Sequence, residues 1–562
     1  MNRHTIRKPT MLRLLILCIV ALASVKFLLG SQVNRDADMS VEVDEEKRVL
    51  QQRGALRWEE EWEKNNEGPG GRQVPDKPRA TSQLDSSPTQ FRVVHFDLKG
   101  AAPKVSYLEQ IFPLLSTLGA NGILLEYEDM FPFEGDLQIL RSPYAYSAED
   151  IEKIRYLAGL SNLEVIPLVQ VFGHLEFALK HNKFAELREV PEYPNSLNPH
   201  TPGSQALVRS MLSQVLDKHP GTRWLHIGAD EVFGLGEGLD SKNWLNSNNG
   251  DLGKMFLNHV KEVGSYVTDS HPGLGLLMWD DMMRHISVET LRESGLPNFV
   301  SPMVWRYHAD LETNQIETYI SSYQAAGFSN VWFASAFKGA SGPAQDWTPV
   351  SYHLNNHLGW LKVINAMSRF PSIHFQGIVL TGWQRYDHFS VLCELFPVGI
   401  PSLAVCLQTL KHDGFTDEAK KQIQYFLGCK NFNLDKNLCE GGGSFPGNEV
   451  YQMVLHIREN LQNDIQKLLA NNLVRGWFSR YHRKYQFGNP RNLEKFKDRL
   501  SKLLEDWESY LQNFRTHLED IFFPDTVEEW MEENVNEYMD QLRSLATDFE
   551  AVIKRGGQPK LL

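Results

Sequence analysis

The stretch Arg223–Glu231 reads RWLHIGADE. Trp224 to Ile227 are strand-favouring residues, and a Gly-Ala pair then turns the chain before two adjacent carboxylates, Asp230 and Glu231. A short apolar run closed by a turn fits a parallel strand covered on both faces. The same pattern recurs on either side of it. RVVHFDL (92–98), GILLEYE (122–128) and LEVIPLVQV (163–171) come before; LGLLMW (274–279), FVSPMVW (299–305), NVWFASA (330–336) and GIVLTGW (377–383) come after. Amphipathic stretches lie between them, among them Tyr107–Leu118, Ala148–Leu160, Gln205–Lys218 and Lys254–Val267. Eight strand–helix repeats over about 300 residues predict an α/β fold, a closed (β/α)8 TIM-type barrel. A doubly wound open sheet shares the local pattern, but no Gly-rich phosphate fingerprint follows the first run.

Outside a barrel at 91–405 the chain changes character. Residues 1–13 hold Arg3, Arg7, Lys8 and Arg13 and read as a cytosolic tail. Leu14–Gly30 is an apolar run of about 17 residues, the lower limit for a membrane-spanning helix. Basic residues precede it and Asp36, Asp38, Glu42 and Asp44 follow it. This asymmetry predicts a transmembrane signal anchor of type II, with the catalytic part in the lumen or outside the cell. Signal cleavage near Gly30 and Ser31, giving a secreted protein, is the competing reading. No N-x-[ST] acceptor occurs in the chain, which is unusual for a lumenal domain of this size. Residues 31–90 are polar, end rich in Gly, Pro and Ser, and predict a stalk. Residues 406–562 predict a helical region with long charged helices at Glu449–Asn472, Leu493–Leu518 and Val527–Lys554. Those helices offer either a homodimer interface or a cap on the barrel, and the cap is the simpler expectation.

A net charge of −13 argues against a nucleic-acid or anionic-membrane surface, which would repel the chain. With 13 Trp and 30 Phe the chain has ample aromatic surface, most of it needed for a core. Cys429 and Cys439 flank a short polar segment; an oxidising compartment would let them pair, and unpaired thiols are the other reading. No spacing suggests a metal site, and no cofactor is expected.

In a barrel, chemistry gathers where strands end. The third run closes on Gln170-Val171-Phe172-Gly173-His174, the fifth on Trp279-Asp280-Asp281, the sixth on Trp305-Arg306-Tyr307 and the eighth on Trp383-Gln384-Arg385-Tyr386-Asp387. Trp279, Trp305 and Trp383 occupy equivalent places and predict aromatic walls of the kind that hold a pyranose. Each Trp taken singly reads rather as core than as wall; their shared position at strand ends is what points to a wall. Two neighbouring acids raise one another's proton affinity, which a general acid near neutral pH requires.

These features resemble glycoside hydrolase family 20. Its H-x-G-x-[DE]-E signature is met by His226, Gly228, Asp230 and Glu231, and its upstream pattern is echoed by SPYAYSAEDI and LEVIPLVQVFGHLE. The segment TGWQRYDHFSVLCELFP is similar to one subgroup of that family. The resemblance spans about Phe91 to Leu410. It implies an exo-acting, retaining β-N-acetylhexosaminidase in which the substrate's own acetamido group is the nucleophile. Glu231 would then be the acid and base, and Asp230 would orient the acetamide. The substrate would be a glycoconjugate or oligosaccharide ending in N-acetylhexosamine, GalNAc or GlcNAc, with the subgroup favouring GalNAc. The same resemblance implies that His174 supports the acids. His226 reads equally as a buried barrel residue. Asp97 and Lys99 stand where the family offers an Arg to the sugar hydroxyls; Glu128 and Asp129 close the second run and could share that duty. The seventh run lacks the family's Tyr, and Tyr307 is the substitute. A catalytically silent carbohydrate-binding barrel is the alternative, and a lumenal glycosyltransferase, lacking a DxD site, a weaker one.

Overall fold

The computed structural model describes residues 87–561. The tail and anchor expected at 1–30, and nearly all of the stalk, lie outside the described residues. Within them, no helix is long and apolar enough to cross a membrane.

Eight parallel strands form a closed barrel: β1 Arg92–Asp97, β2 Gly122–Glu126, β3 Glu164–Leu168, β4 Trp224–His226, β5 Gly275–Trp279, β6 Val300–Trp305, β7 Asn330–Lys338 and β8 His374–Gly382. Each pairs with its neighbour in sequence, and β1 closes the ring against β8. All eight apolar runs are therefore the barrel strands. The intervening helices are α1 Val105–Leu118, α2 Ala148–Leu160, α3 Ser204–Lys218, α4 Leu252–Ser270, α5 Val288–Ser294, α6 Thr313–Ala326, α7 Val350–Asn365 and α8 Phe396–Lys411. Local chemistry marks their starts. Ser147, for example, accepts from the Asp150 amide while Asp150 accepts from the Ser147 amide, satisfying two free donors at the head of α2.

Side chains alternate along each strand, so two cores result. Residues of the outer face pack against the helices. Val93, Leu124, Ile166, Leu277, Met303 and Val379 point the other way and fill the barrel axis. Following the inward series by steps of two leads from this apolar plug up to the mouth: Leu124 to Glu126, Leu168 to Gln170, Leu277 to Trp279, Met303 to Trp305 and Tyr307.

α8 is apolar on every side, and all its residues from Phe396 to Leu410 are buried. Such a helix needs cover on its outer face as well. The C-terminal region supplies it, and the boundary expected at 405 falls inside α8. Beyond it come α9 Asp417–Leu427, α10 Asn448–Ala470, α11 Pro490–Ile521, α12 Pro524–Met531 and α13 Glu537–Lys554. The last expected helix is two, joined through a π-helical turn at Glu532–Asn536. Cys429 and Cys439 are bridged across the small hairpin that follows α9, with Cα atoms 5.3 Å apart. Cys393 and Cys406 are buried and free. The helices close on the barrel: Ile521 accepts from the Lys104 amide at 2.7 Å, and Phe522 bridges to Pro103.

Candidate active site

A cavity of about 250 Å3 opens at the C-terminal end of the strands. Trp279, Trp305, Tyr307 and Trp383 form its walls, as expected. Tyr307 lies flat on Trp305 with centroids 5.2 Å apart and stands 6.3 Å from Trp383; Trp279 is 5.8 Å from Trp383. The Trp279 indole N–H is buried and has no protein acceptor. Burial keeps the Tyr307 hydroxyl protonated well above the ordinary tyrosine range.

Asp230 and Glu231 do not close β4, which stops at His226. They stand on the loop beyond it, where Gly228, Ala229 and Glu231 all have positive φ (62°, 67° and 46°). Left-handed backbone at non-glycine residues is costly and persists only where its surroundings hold it. Three contacts hold it here. His226 Nδ1 accepts from the Gly228 amide at 3.0 Å, Gln170 Oε1 accepts from the Ala229 amide at 3.2 Å, and Asp281 Oδ2 accepts from the Glu231 amide at 2.9 Å. A Cβ on Gly228 would sit 1.9 Å from Gln170 Oε1, and one on Gly173 would sit 2.0 Å from the Asp230 carbonyl. Both positions therefore require glycine. His226 has no exposure and is pushed down to about 3 by burial, so it is a neutral barrel residue that shapes the loop.

The pair is asymmetric. The Asp230 side chain is 10% exposed and that of Glu231 is 40% exposed. His174 Nε2 lies 3.5 Å from Asp230 Oδ2 and 3.2 Å from Glu231 Oε2, where the resemblance places it. Gln170 donates to Asp230 Oδ1 at 3.1 Å. Asp230 is pushed up to about 7, first by burial and then by the charges of Asp281, Glu126 and Glu231, against the pull of His174. Burial works against a charge on His174, but Asp230, Glu231 and Glu176 outweigh it and raise the imidazole to about 10.

Across the cavity the charges are matched. Lys99 lines the wall and is buried; its ammonium is 2.9 Å from Asp97, 3.4 Å from Glu128 and 3.8 Å from Glu126. Burial alone would strip its proton, but the three acids hold it well above the ordinary lysine value. Burial likewise opposes charge on Glu126, yet Lys99 and His95 keep it well below the usual carboxylate range.

Asp97 and Asp129 are placed differently from expectation. Asp97 holds Lys99 and accepts from the Gln384 amide at 2.8 Å, behind the wall. Asp129 sits 3.7 Å from Lys180 and 3.8 Å from His388, away from the cavity, and Glu128 also turns back to pair with His388. For Glu128 and Asp129 the physical reason is where β2 ends. Leu124 faces the axis, so Glu126 two residues on does too, whereas Glu128 has left the strand for a 3-10 turn with φ 44°. Glu126, Gln170 and Asp281 are functional neighbours that reading only the final residues of each run overlooked. Asp281 also accepts from the Trp305 indole at 3.1 Å, while Asp280 is tied into Arg284 and Tyr323. Among the described residues no group of His, Cys, Asp or Glu is arranged to hold a metal ion.

The model of the glycosyl hydrolase family 20 catalytic domain matches residues 110–331. Hexosaminidase D from Homo sapiens is 48% identical over 468 residues, which is 83% of this chain and 96% of that protein. Hexosaminidase D from Bos taurus is 54% identical over 338 residues, 60% of this chain and 97% of that one. Among solved structures, a chitobiase from Flavobacterium johnsoniae overlays with a TM-score of 0.47 at 13% identity, covering 84% of this chain and 70% of its own.

Proposed function

The chain belongs to glycoside hydrolase family 20, in its hexosaminidase D group, and as a β-N-acetylhexosaminidase of that family we propose that it works by substrate-assisted retention on terminal β-linked N-acetylhexosamine. The observation that carries this reading is the unequal exposure of two adjacent acids in one aromatic-walled cavity. The deeper Asp230 accepts the acetamide N–H and turns the carbonyl oxygen toward the anomeric carbon. That oxygen forms its bond to the carbon as the glycosidic C–O bond breaks. The more exposed Glu231 gives its proton to the departing oxygen. The resulting oxazolinium is flanked by Asp230, whose negative charge offsets it. Glu231 then takes a proton from a water that attacks the same carbon as its bond to the acetamido oxygen breaks, so two inversions retain the configuration. Tyr307, held protonated, donates to the acetamido oxygen. Trp279, Trp305 and Trp383 enclose the ring and the acetyl methyl.

The cavity admits one sugar, which fits exo-action. Likeness to the hexosaminidase D group favours galactosaminides over glucosaminides. Rates on aryl β-N-acetylgalactosaminide, aryl β-N-acetylglucosaminide and the aryl hexoside without an acetamido group test the whole reading. Fast cleavage of the first two and negligible cleavage of the third is expected; equal speed on the third would overturn it.

The Cys429–Cys439 bridge fits an oxidising compartment. With the apolar run at Leu14–Gly30 it supports a lumenal, type II-anchored enzyme. Full-length protein should resist alkaline extraction from membranes, and release into the supernatant would count against the anchor. The C-terminal helices bury themselves on the barrel, which favours the cap over a dimer interface.

A further inference from the structure

One cation in the cavity wall is held by a residue far away in sequence. Arg385 lines the cavity from the loop after β8. Its guanidinium forms a two-pronged ion pair with Glu529 of α12, with Nη1 at 2.6 Å from Oε1 and Nη2 on Oε2. The Arg385 side chain is 12% exposed, so this pair is mostly shielded from solvent and its geometry is fixed. Glu529 Oε1 also accepts from the Leu392 amide at 3.2 Å, pinning the same loop a second time. The guanidinium lies on Gly100, where a Cβ would come within 2.2 Å of Arg385 Nε. Thr526, one turn before Glu529, donates to the Gly100 carbonyl at 2.8 Å. α12 thus grips both loops that form this side of the cavity, the one after β1 and the one after β8. On the wall side, the amide of Arg385 points at Asp97, the same carboxylate that holds Lys99.

We infer that the C-terminal helical region is part of the sugar site, with Glu529 acting as a positioning residue that sets Arg385 in the cavity wall. A simple cap would need only apolar contacts over α8. Here a half-buried carboxylate holds a cavity-lining arginine 144 residues away in sequence. The bidentate fork fixes the plane as well as the position of the guanidinium in the cavity wall. The group served is a hydroxyl or the glycosidic region of the bound glycan, which Arg385 meets as a neutralised donor. Binding of substrate and transition state alike depends on that wall, so the expected effect falls on KM more than on kcat. The inference rests on the cavity being the sugar site.

The test is a double-mutant cycle on the full-length enzyme with an aryl β-N-acetylgalactosaminide: Glu529→Gln, Arg385→Gln and both together. Each single change should raise KM about tenfold with kcat within about threefold, and the double should be no worse than the worse single. Glu529→Asp, which keeps the charge on a shorter arm, should recover part of the loss. Glu508→Gln, on α11 at an exposed pair with Arg543 of α13, should leave both constants unchanged. Effects that multiply in the double mutant, or single mutants with wild-type KM, overturn the inference. Should Glu529→Gln fail to fold, Glu529→Asp decides alone: a raised KM at wild-type melting temperature supports the role, and a lowered melting temperature with unchanged KM reduces the residue to a structural one. Glu231→Gln run alongside keeps the two readings apart, since activity surviving in that mutant removes the site itself, while its loss with a silent Glu529 removes only this inference.

Discussion

The two sides of the cavity mouth carry the same kinds of residue and behave in opposite ways. On the β1–β2 side Asp97, Glu126 and Glu128 surround Lys99, with His95 and His388 bonded to Glu126 and Glu128. Every charge there has a partner, and Lys99 and the histidines lower the proton affinity of Glu126 and Glu128. On the β3–β5 side Asp230 and Glu231 share the single base His174 on a loop strained through Gly228, Ala229 and Glu231, with Asp281 bonded to the Glu231 amide. Acids outnumber bases, so burial can drive a proton onto one of them. A matched cluster binds and holds shape. On the unmatched one burial raises the proton affinity of Asp230, the acid set beside the proton donor.

Removing the acids on the unmatched side should have the largest effect. Glu231→Gln is expected to cost about three orders of magnitude in kcat on substrates with poor leaving groups. Asp230→Asn should cost as much even when the leaving group needs no proton, because the acetamide is no longer steered. A near-normal rate for Asp230→Asn on a nitrophenyl glycoside would break the contrast. On the matched side the dominant effect should be on stability. Lys99→Met leaves three buried carboxylates without their shared cation, and urea unfolding should show a loss of about 3 kcal/mol or more.

Smaller effects sharpen the comparison. Tyr307→Phe should lower kcat about tenfold through one lost donor to the acetamido oxygen; an unchanged kcat would remove that role. The smallest effect has the opposite sign. Asp230 titrates at about 7 in the fold against an ordinary 3.8, so the protein loses stability as pH climbs through that window. Below the lower value the group is protonated in both states and costs nothing. Asp230→Asn should therefore melt roughly 2–4 °C higher than wild type at pH 7.5, with the gain fading toward pH 4. An equal gain at both pH values would mean that charge is not the cause.

Much of the site was open to inspection in the sequence, and the gaps have a geometric origin. His174, Asp230, Glu231 and the three tryptophans were each found at the end of an apolar run. Asp97 and Asp129 read as wall residues because both stand where a strand ends, Asp97 at the place where the family offers an Arg. A strict count of two from Leu124 reaches Glu126 and then Glu128 and passes over Asp129; Glu128 turns away because the chain has by then left the strand for a 3-10 turn. Counting from Leu277 through Trp279 in the same way reaches Asp281. Gln170 was quoted in the third run but had no visible reason to matter, since its partners at Ala229 and Asp230 are 59 and 60 residues away.

The amino-acid sequence by itself determined the eight strands, the helices between them and the place of the acid pair, because periodicity and turn chemistry act over a few residues. The tertiary structure alone decided which acids keep a proton, which are cancelled by Lys99, and that Glu529 reaches back to Arg385. Those outcomes depend on burial and on charges brought together across the chain, and neither quantity exists until the barrel has closed.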